Sequence, residues 1–292
     1  MQTDRETYPP VDFLAVGHVC RDLIADGTVI GGAAAYSASV ARVLGCRSGI
    51  VTSGTVDSDW CDELAGITTH LVSAPATTVF ENVYTPAGRV QTIHAVAGNL
   101  AADHVPLLWT RTPIVFIGPI ANEIDPGITD VFSNSLIGVG PQGWMRRWDE
   151  RGHIFQVDWE SAAEVLPNAA VTFLSVEDLP DQRFIEIYAR LSRVLVITGG
   201  PDGCKVYSHH EARHFPAPSV RTVDSTGAGD IFAAAYLVRM YQTDGNIWEA
   251  AVFANRIAAC SVTQQGLPAK MEAIRKLLDG HYDRPPGTAR SA

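Results

Sequence analysis

The sequence predicts an α/β fold, a mostly parallel sheet with helices on both faces. Three observations carry the expectation. Short apolar runs rich in β-branched and aromatic residues recur along the 292 residues, helical stretches lie between them, and no internal repeat interrupts the alternation. Phe13–Val16 reads as the first buried strand, and Ala33 to Leu44 as the helix after it. Residues 77–84 and 89–94 alternate around Thr85-Pro86-Ala87-Gly88 and read as a hairpin. Buried strands are then expected at Ile114–Ile117, Leu136–Val139, Ile154–Val157, Val171–Leu174 and Val194–Ile197, with a helix at Arg183–Ser192. Ile231–Leu237 is apolar throughout, as in a core helix. Asn246 with Glu249 three residues on marks the start of the next helix, and Gly266 its end. One domain over 11–280 is expected, with loose tails at 1–10 and 281–292.

Composition narrows the function. Apolar residues make up 46%, enough for a sizeable core, and no run of 18 apolar residues suggests a membrane span. With 22 Lys and Arg against 32 Asp and Glu, the formal charge is −10, and no long basic run offers a face to nucleic acid. The five cysteines are scattered and never form C-x-x-C, which points to a reducing compartment without a zinc or disulfide framework. Met1–Glu6 lacks the features of a secretory leader, so a cytoplasmic location is expected. The nine histidines form no metal-binding pattern and read as surface or capping groups.

Asp224-Ser225-Thr226-Gly227-Ala228-Gly229-Asp230 carries the most chemistry. Small residues let a backbone approach a ligand closely, and free N–H groups at a helix N-terminus favour an anion. A carboxylate beside that anion suits proton abstraction from an attacking hydroxyl. Asp230 as a plain helix cap is the alternative.

In its context this stretch resembles the C-terminal signature of the ribokinase-like (PfkB) carbohydrate kinases. The resemblance implies a three-layer sandwich with a β lid. Gly227, Ala228 and Gly229 become the anion hole, Asp230 the base, and Asp224 part of a monovalent-cation region. Gly31-Gly32 resembles the family's sugar-side motif, although Tyr36 stands where many members have Asn. Asp22 matches the family Asp that grips two hydroxyls. Asp22 and Gly31 are only nine positions apart, so the lid is expected to be reduced, with the 77–94 hairpin covering the substrate largely alone. Thr198, Gly200 and Gly203 resemble the nucleotide-side turn, and Asn255 the residue near adenine or ribose. Ser175 and Asp178 stand where the family carries N-x-x-E, with Asp178 organising Mg²⁺ through water. Pro141-Gln142-Gly143-Trp144 resembles a branch similar to plant inositol kinases, with Gln142 contacting substrate and Arg146 a phosphate.

The function implied is ATP-dependent phosphotransfer to a small polyol, a sugar or cyclitol, with Mg²⁺ required and K⁺ stimulation expected. A monomer or weak homodimer, without nucleic-acid or membrane partners, accompanies it. A nucleoside kinase and a non-catalytic binding protein of the same fold are the alternatives.

Overall fold

A computed structural model describes residues 8–281 apart from 57–59, 61, 86–87, 180 and 182. In chain order the strands are β1 (Phe13–Val16), β2 (Cys20–Ile24), β3 (Gly27–Gly31), β4 (Ser48–Gly54), β5 (Thr68–Ser73), β6 (Thr78–Thr85), β7 (Gly88–Ala95), β8 (Ile114–Ile117) and β9 (Leu136–Val139). They continue as β10 (Arg146–Trp148), β11 (Ile154–Gln156), β12 (Val171–Ser175), β13 (Val194–Thr198), β14 (Cys204–Ser208) and β15 (Glu211–Phe215). The helices are α1 (Ala33–Val43), α2 (Ala162–Val165), α3 (Arg183–Leu191), α4 (Ala228–Gln242), α5 (Ile247–Ser261) and α6 (Leu267–His281).

Nine strands form the central sheet in the order β15-β14-β13-β12-β9-β8-β1-β4-β5. All neighbours are parallel except the two antiparallel pairs at the β15 end, β13–β14 and β14–β15. Central strands such as β1 are buried on both faces, which explains their continuous apolar character. Phe13 and Ala15 join one core with α1, α4 and α5; Leu14 and Val16 join the other with Trp109, Trp144, Trp159 and Tyr188. In α4 every residue from Ile231 to Val238 is buried, so that helix is apolar all round. The fold is ribokinase-like.

The lid differs from the sequence expectation. The 77–94 hairpin exists as β6 and β7, but it is joined by β2 and β3 in a four-stranded sheet, β3-β2-β6-β7. Only Ala25 and Asp26 separate β2 from β3, because a two-residue turn before Gly27 suffices to reverse the chain. Asp22 and Gly31, nine positions apart, therefore sit on two short antiparallel strands, and the hairpin is half of a four-stranded sheet.

Four further expectations change. Ile154–Gln156 is not a central strand; it pairs antiparallel with Arg146–Trp148, in a turn capped by Asp149, whose Oδ1 accepts from Arg151 and His153 N–H. Gly266 does not end α5, which stops at Ser261; its φ of 75° instead leads the chain into α6. The stretch read as a loose tail is tied down at Tyr8 and Pro9, where Tyr8 meets His70 at 2.8 Å and the Trp109 indole donates to Pro9 O at 2.9 Å. His18 is neither surface nor cap but fully buried. Its Nε2 donates to Gly98 O at 2.8 Å and its Nδ1 meets the Thr78 hydroxyl at 2.8 Å, joining the end of β1 to the lid.

Candidate active site

The C-terminal ends of β1, β8, β9, β12 and β13 lie along one edge of the sheet. The strand order runs outward from β1 in both directions, through β8 and through β4, and such a switch point is where open α/β sheets bind ligands. The loop after β8 is held by Glu123, a buried carboxylate. It accepts from the N–H groups of His18, Ile120 and Ala121 at 2.7–3.1 Å. Sequence reasoning passed over Glu123, since an acidic residue six positions beyond a strand carries no distinctive spacing.

Asp230 stands in the first turn of α4, and Gly227 is that helix's N-cap with φ 72°. Only a glycine adopts this left-handed geometry without strain. A Cβ on Gly229 would meet nothing within 4 Å, so that position faces open space. The Ala228 N–H donates to Ser225 O at 3.1 Å and closes a turn. Gly227 and Gly229 thus lie at the N-terminus of a 15-residue helix, where the helix dipole favours an anion.

Burial pushes the Asp230 carboxyl up to about 7; Arg146 pulls it down and Asp178 adds to the rise. These three groups are thus within electrostatic reach of one another, although the sequence spreads them over three elements. Arg146 is buried, with Nη1 donating to Ile120 O at 3.2 Å. Asp178 follows β12; its Oδ2 accepts from Ser175 N–H at 3.1 Å and its Oδ1 from the Gln142 amide at 3.0 Å. Gln142, expected on the substrate, thus braces Asp178. The Ser175 hydroxyl caps the same turn through Glu177 N–H at 3.2 Å.

On the lid side, Asp22 extends from β2 toward β3, and a Cβ on Gly31 would collide with its carboxylate. Gly31 is thereby the residue that makes room for Asp22. Gly32 caps α1 with φ 96°, its Cα against His18 O. Tyr36 is 2% exposed. Burial raises its phenol pKa, with Asp224, Asp22, Asp230 and Cys20 adding to the rise. Its ring lies under Gly227. Tyr36 therefore shapes the Gly227 turn from beneath.

Thr198 ends β13 in register with Ser175 and donates to Leu174 O at 3.3 Å. Gly200 and Gly203 have φ of 55° and 88°, and the Gly203 Cα abuts Phe215 O. Asn255 is buried, and its amide donates to Phe215 O at 2.9 Å. The residue expected beside a nucleotide is thus also a tie between α5 and β15. Asp224 accepts from Thr226 N–H at 2.8 Å and Gly266 N–H at 3.1 Å. Lys270, which no sequence signal singled out, reaches the same place.

No group of three or more His, Cys, Asp or Glu that could hold a metal occurs among the described residues. Asp178 nonetheless suits Mg²⁺, which is commonly held by one or two carboxylates together with substrate phosphates and water. Each of its oxygens keeps a lone pair beyond the single hydrogen bond described. Among the described residues no helix is long and apolar enough to cross a membrane.

A carboxylate in the first turn of a helix, beside a glycine-rich turn in a ribokinase-like fold, is an arrangement suited to phosphoryl transfer to an alcohol group. Residues 172–274 match the model of the pfkB family carbohydrate kinases. Over that stretch the chain is similar to this family. It is 27% identical over 313 residues to inositol 3-kinase of Oryza sativa subsp. japonica, covering 94% of this chain and 75% of that protein. With fructokinase-1 of the same organism it shares 29% over 144 residues, 45% of this chain and 44% of that protein. Among solved structures, a pyrophosphate-dependent kinase in the ribokinase family, complexed with a pyrophosphate analog and myo-inositol, superposes with a TM-score of 0.76. Identity there is 20%, covering 90% of this chain and 98% of that one. Ribokinase from Thermotoga maritima gives a TM-score of 0.68 at 20% identity, over 92% and 99% of the two chains.

Proposed function

We propose that this kinase, a single domain over 11–280, transfers the γ-phosphoryl group of ATP to one hydroxyl of a cyclitol or hexose-sized polyol. The observation that carries the reading is the place of Asp230 in the first turn of α4, just after the Gly227 cap and within electrostatic reach of Arg146 and Asp178; burial there raises its pKa to about 7. A group of that basicity accepts a proton efficiently near neutral pH.

Asp22 grips two substrate hydroxyls and aims a third at the donor. As that oxygen attacks phosphorus, its proton passes to Asp230. The new O–P bond forms while the bond from phosphorus to the ADP oxygen breaks, and ADP leaves with the electron pair. The Gly227 and Gly229 amides and the Arg146 guanidinium hold the equatorial oxygens of the transferring group. Mg²⁺ bound beside Asp178 would neutralise phosphate charge. Positioning and electrostatics carry most of the rate. Val223, 57% exposed and adjacent to the anion loop, offers an apolar edge to an adenine ring.

A second reading has pyrophosphate as donor. It is favoured by the Asn255 amide, which is spent on Phe215 O rather than offered to a nucleotide, and it matches the donor of one structural neighbour. A coupled assay crossing ATP and pyrophosphate with myo-inositol, fructose, ribose and adenosine separates these readings. Turnover of myo-inositol or fructose with ATP supports the proposal. Turnover with pyrophosphate alone replaces the donor, an adenosine preference replaces the substrate, and no turnover of any pair leaves the non-catalytic alternative.

A further inference from the structure

Lys270 is a lysine with no exposure to solvent at all. It rises from the first turn of α6, and its Nζ meets three oxygens. It donates to Asp224 O at 2.6 Å and Thr226 O at 2.8 Å, and lies 3.2 Å from Asp224 Oδ2. Three N–H donors meet three acceptors, so the ammonium is fully satisfied. The Tyr36 ring stands 6.0 Å away on another side, within the range of a cation–π contact. Burial pulls the pKa of Lys270 down, and the Asp224 carboxylate opposes that pull.

The acceptors matter more than the burial. Asp224 O and Thr226 O belong to the segment that leads directly into Gly227 and Gly229. Asp224 Oδ2 also accepts from Gly266 N–H, and Oδ1 from Thr226 N–H. A single cation therefore draws together the segment that sets up the anion loop and the start of α6. Two carbonyls, a carboxylate oxygen and a ring face around one positive charge are also what a monovalent metal ion would take. Here those oxygens are in direct contact with an ammonium, so a K⁺ ion does not fit among them.

We propose that Lys270 is a tethered cation that takes the place of a monovalent metal ion, holding the Asp224–Thr226 segment so that the Gly227 and Gly229 amides face the transferring phosphoryl group without added K⁺. The proposal rests on the kinase reading for its rate measurements but not for its stability measurements. Lys270 is a positioning residue: it touches the loop and not the reacting atoms. Its truncation to alanine leaves a space lined by the same oxygens, and that space suits K⁺ or NH₄⁺.

The test compares wild type, Lys270→Ala and Lys270→Met in choline, Na⁺, K⁺ and NH₄⁺ chlorides at one ionic strength. Wild-type rate and Tm should be the same in all four salts. Lys270→Ala should lose at least about tenfold in kcat in choline and recover most of it, saturably, with K⁺ or NH₄⁺. Its Tm should rise by about 3–8 °C with saturating K⁺, as expected of an ion that binds only the folded state. Lys270→Met, which fills the space with apolar atoms, should lose rate and respond to no salt. A wild-type enzyme stimulated severalfold by K⁺ overturns the proposal, and so does a Lys270→Ala variant whose rate and Tm ignore K⁺. If Lys270→Ala does not fold even in KCl, the wild-type salt comparison decides alone. If no polyol is phosphorylated, the Tm comparison still decides, so failure of the kinase reading is told apart from failure of this one.

Discussion

The ring of Tyr36 fills the space that a Cβ on Gly227 would need. Two constraints therefore meet at Gly227, the ring beneath it and a φ of 72° that disfavours any side chain. Gly227→Ala should destabilise the protein by about 1–3 kcal/mol. By displacing an amide from the anion loop it should also lower kcat by about 10²-fold. Thermal unfolding and steady-state kinetics on the same preparation check both; an unchanged Tm and kcat would mean the loop tolerates a different path.

Asp230→Asn should bind the phosphate donor but lose about 10²–10⁴-fold in kcat, the range for a missing general base. Single-turnover kinetics with donor binding measured separately would show it. Near wild-type turnover would remove Asp230 from the role of base.

The pH profile follows from the same group. Asp230 must be ionised to accept a proton, and its pKa is raised from 3.8 to about 7. Activity as kcat/KM should thus fall about tenfold per unit below pH 7 and level off above it. Arg146 favours the ionised form, so Arg146→Gln should move the inflection to higher pH. The raised pKa is also a stability cost, absent below the ordinary carboxylate pKa and fully present above about 7. At pH 8, Asp230→Asn should therefore melt at a higher temperature than wild type, and at pH 4 the difference should vanish.

Gln142 braces Asp178 through a hydrogen bond of 3.0 Å. Gln142→Leu should leave the fold intact and weaken the apparent affinity for Mg²⁺ by about tenfold or more, as loss of a partner to a metal-side carboxylate does. Titration of activity against Mg²⁺ at fixed donor concentration tests this. An effect confined to the KM of the polyol would return Gln142 to the substrate.

Asp22→Ala should raise KM for the polyol by an amount worth about 2–4 kcal/mol, two charge-assisted hydrogen bonds. Gly31→Ala should act in the same direction, because its methyl would push the Asp22 carboxylate aside. Unchanged KM in both variants, on a substrate with good turnover, would place the polyol elsewhere.

The sequence by itself determined the elements whose signals are local. Short apolar runs gave β1, β8, β9, β12 and β13, and the Asn246 cap was legible because Asn246 Oδ1 accepts from Glu249 N–H at 3.1 Å. The glycine turn that opens α4 was legible too, since its glycines and its aspartate are contiguous. Asp26-Gly27 was a local hairpin signal passed over, and with it the β2–β3 half of the lid.

Tertiary structure decided what depends on partners distant in the chain. Ile154–Gln156 has the composition of a buried strand, but composition does not name the neighbour, and Arg146–Trp148 claimed it first. Gln142 and Asp178 are 36 positions apart, and no pattern within either loop says that the two meet. Lys270 lies 46 positions from Asp224, and by residue type it reads as a surface lysine, since an unpaired ammonium does not survive burial. Only packing α6 beside the anion loop brings the carbonyls of Asp224 and Thr226 to its charge, and with them the electrostatics of the site.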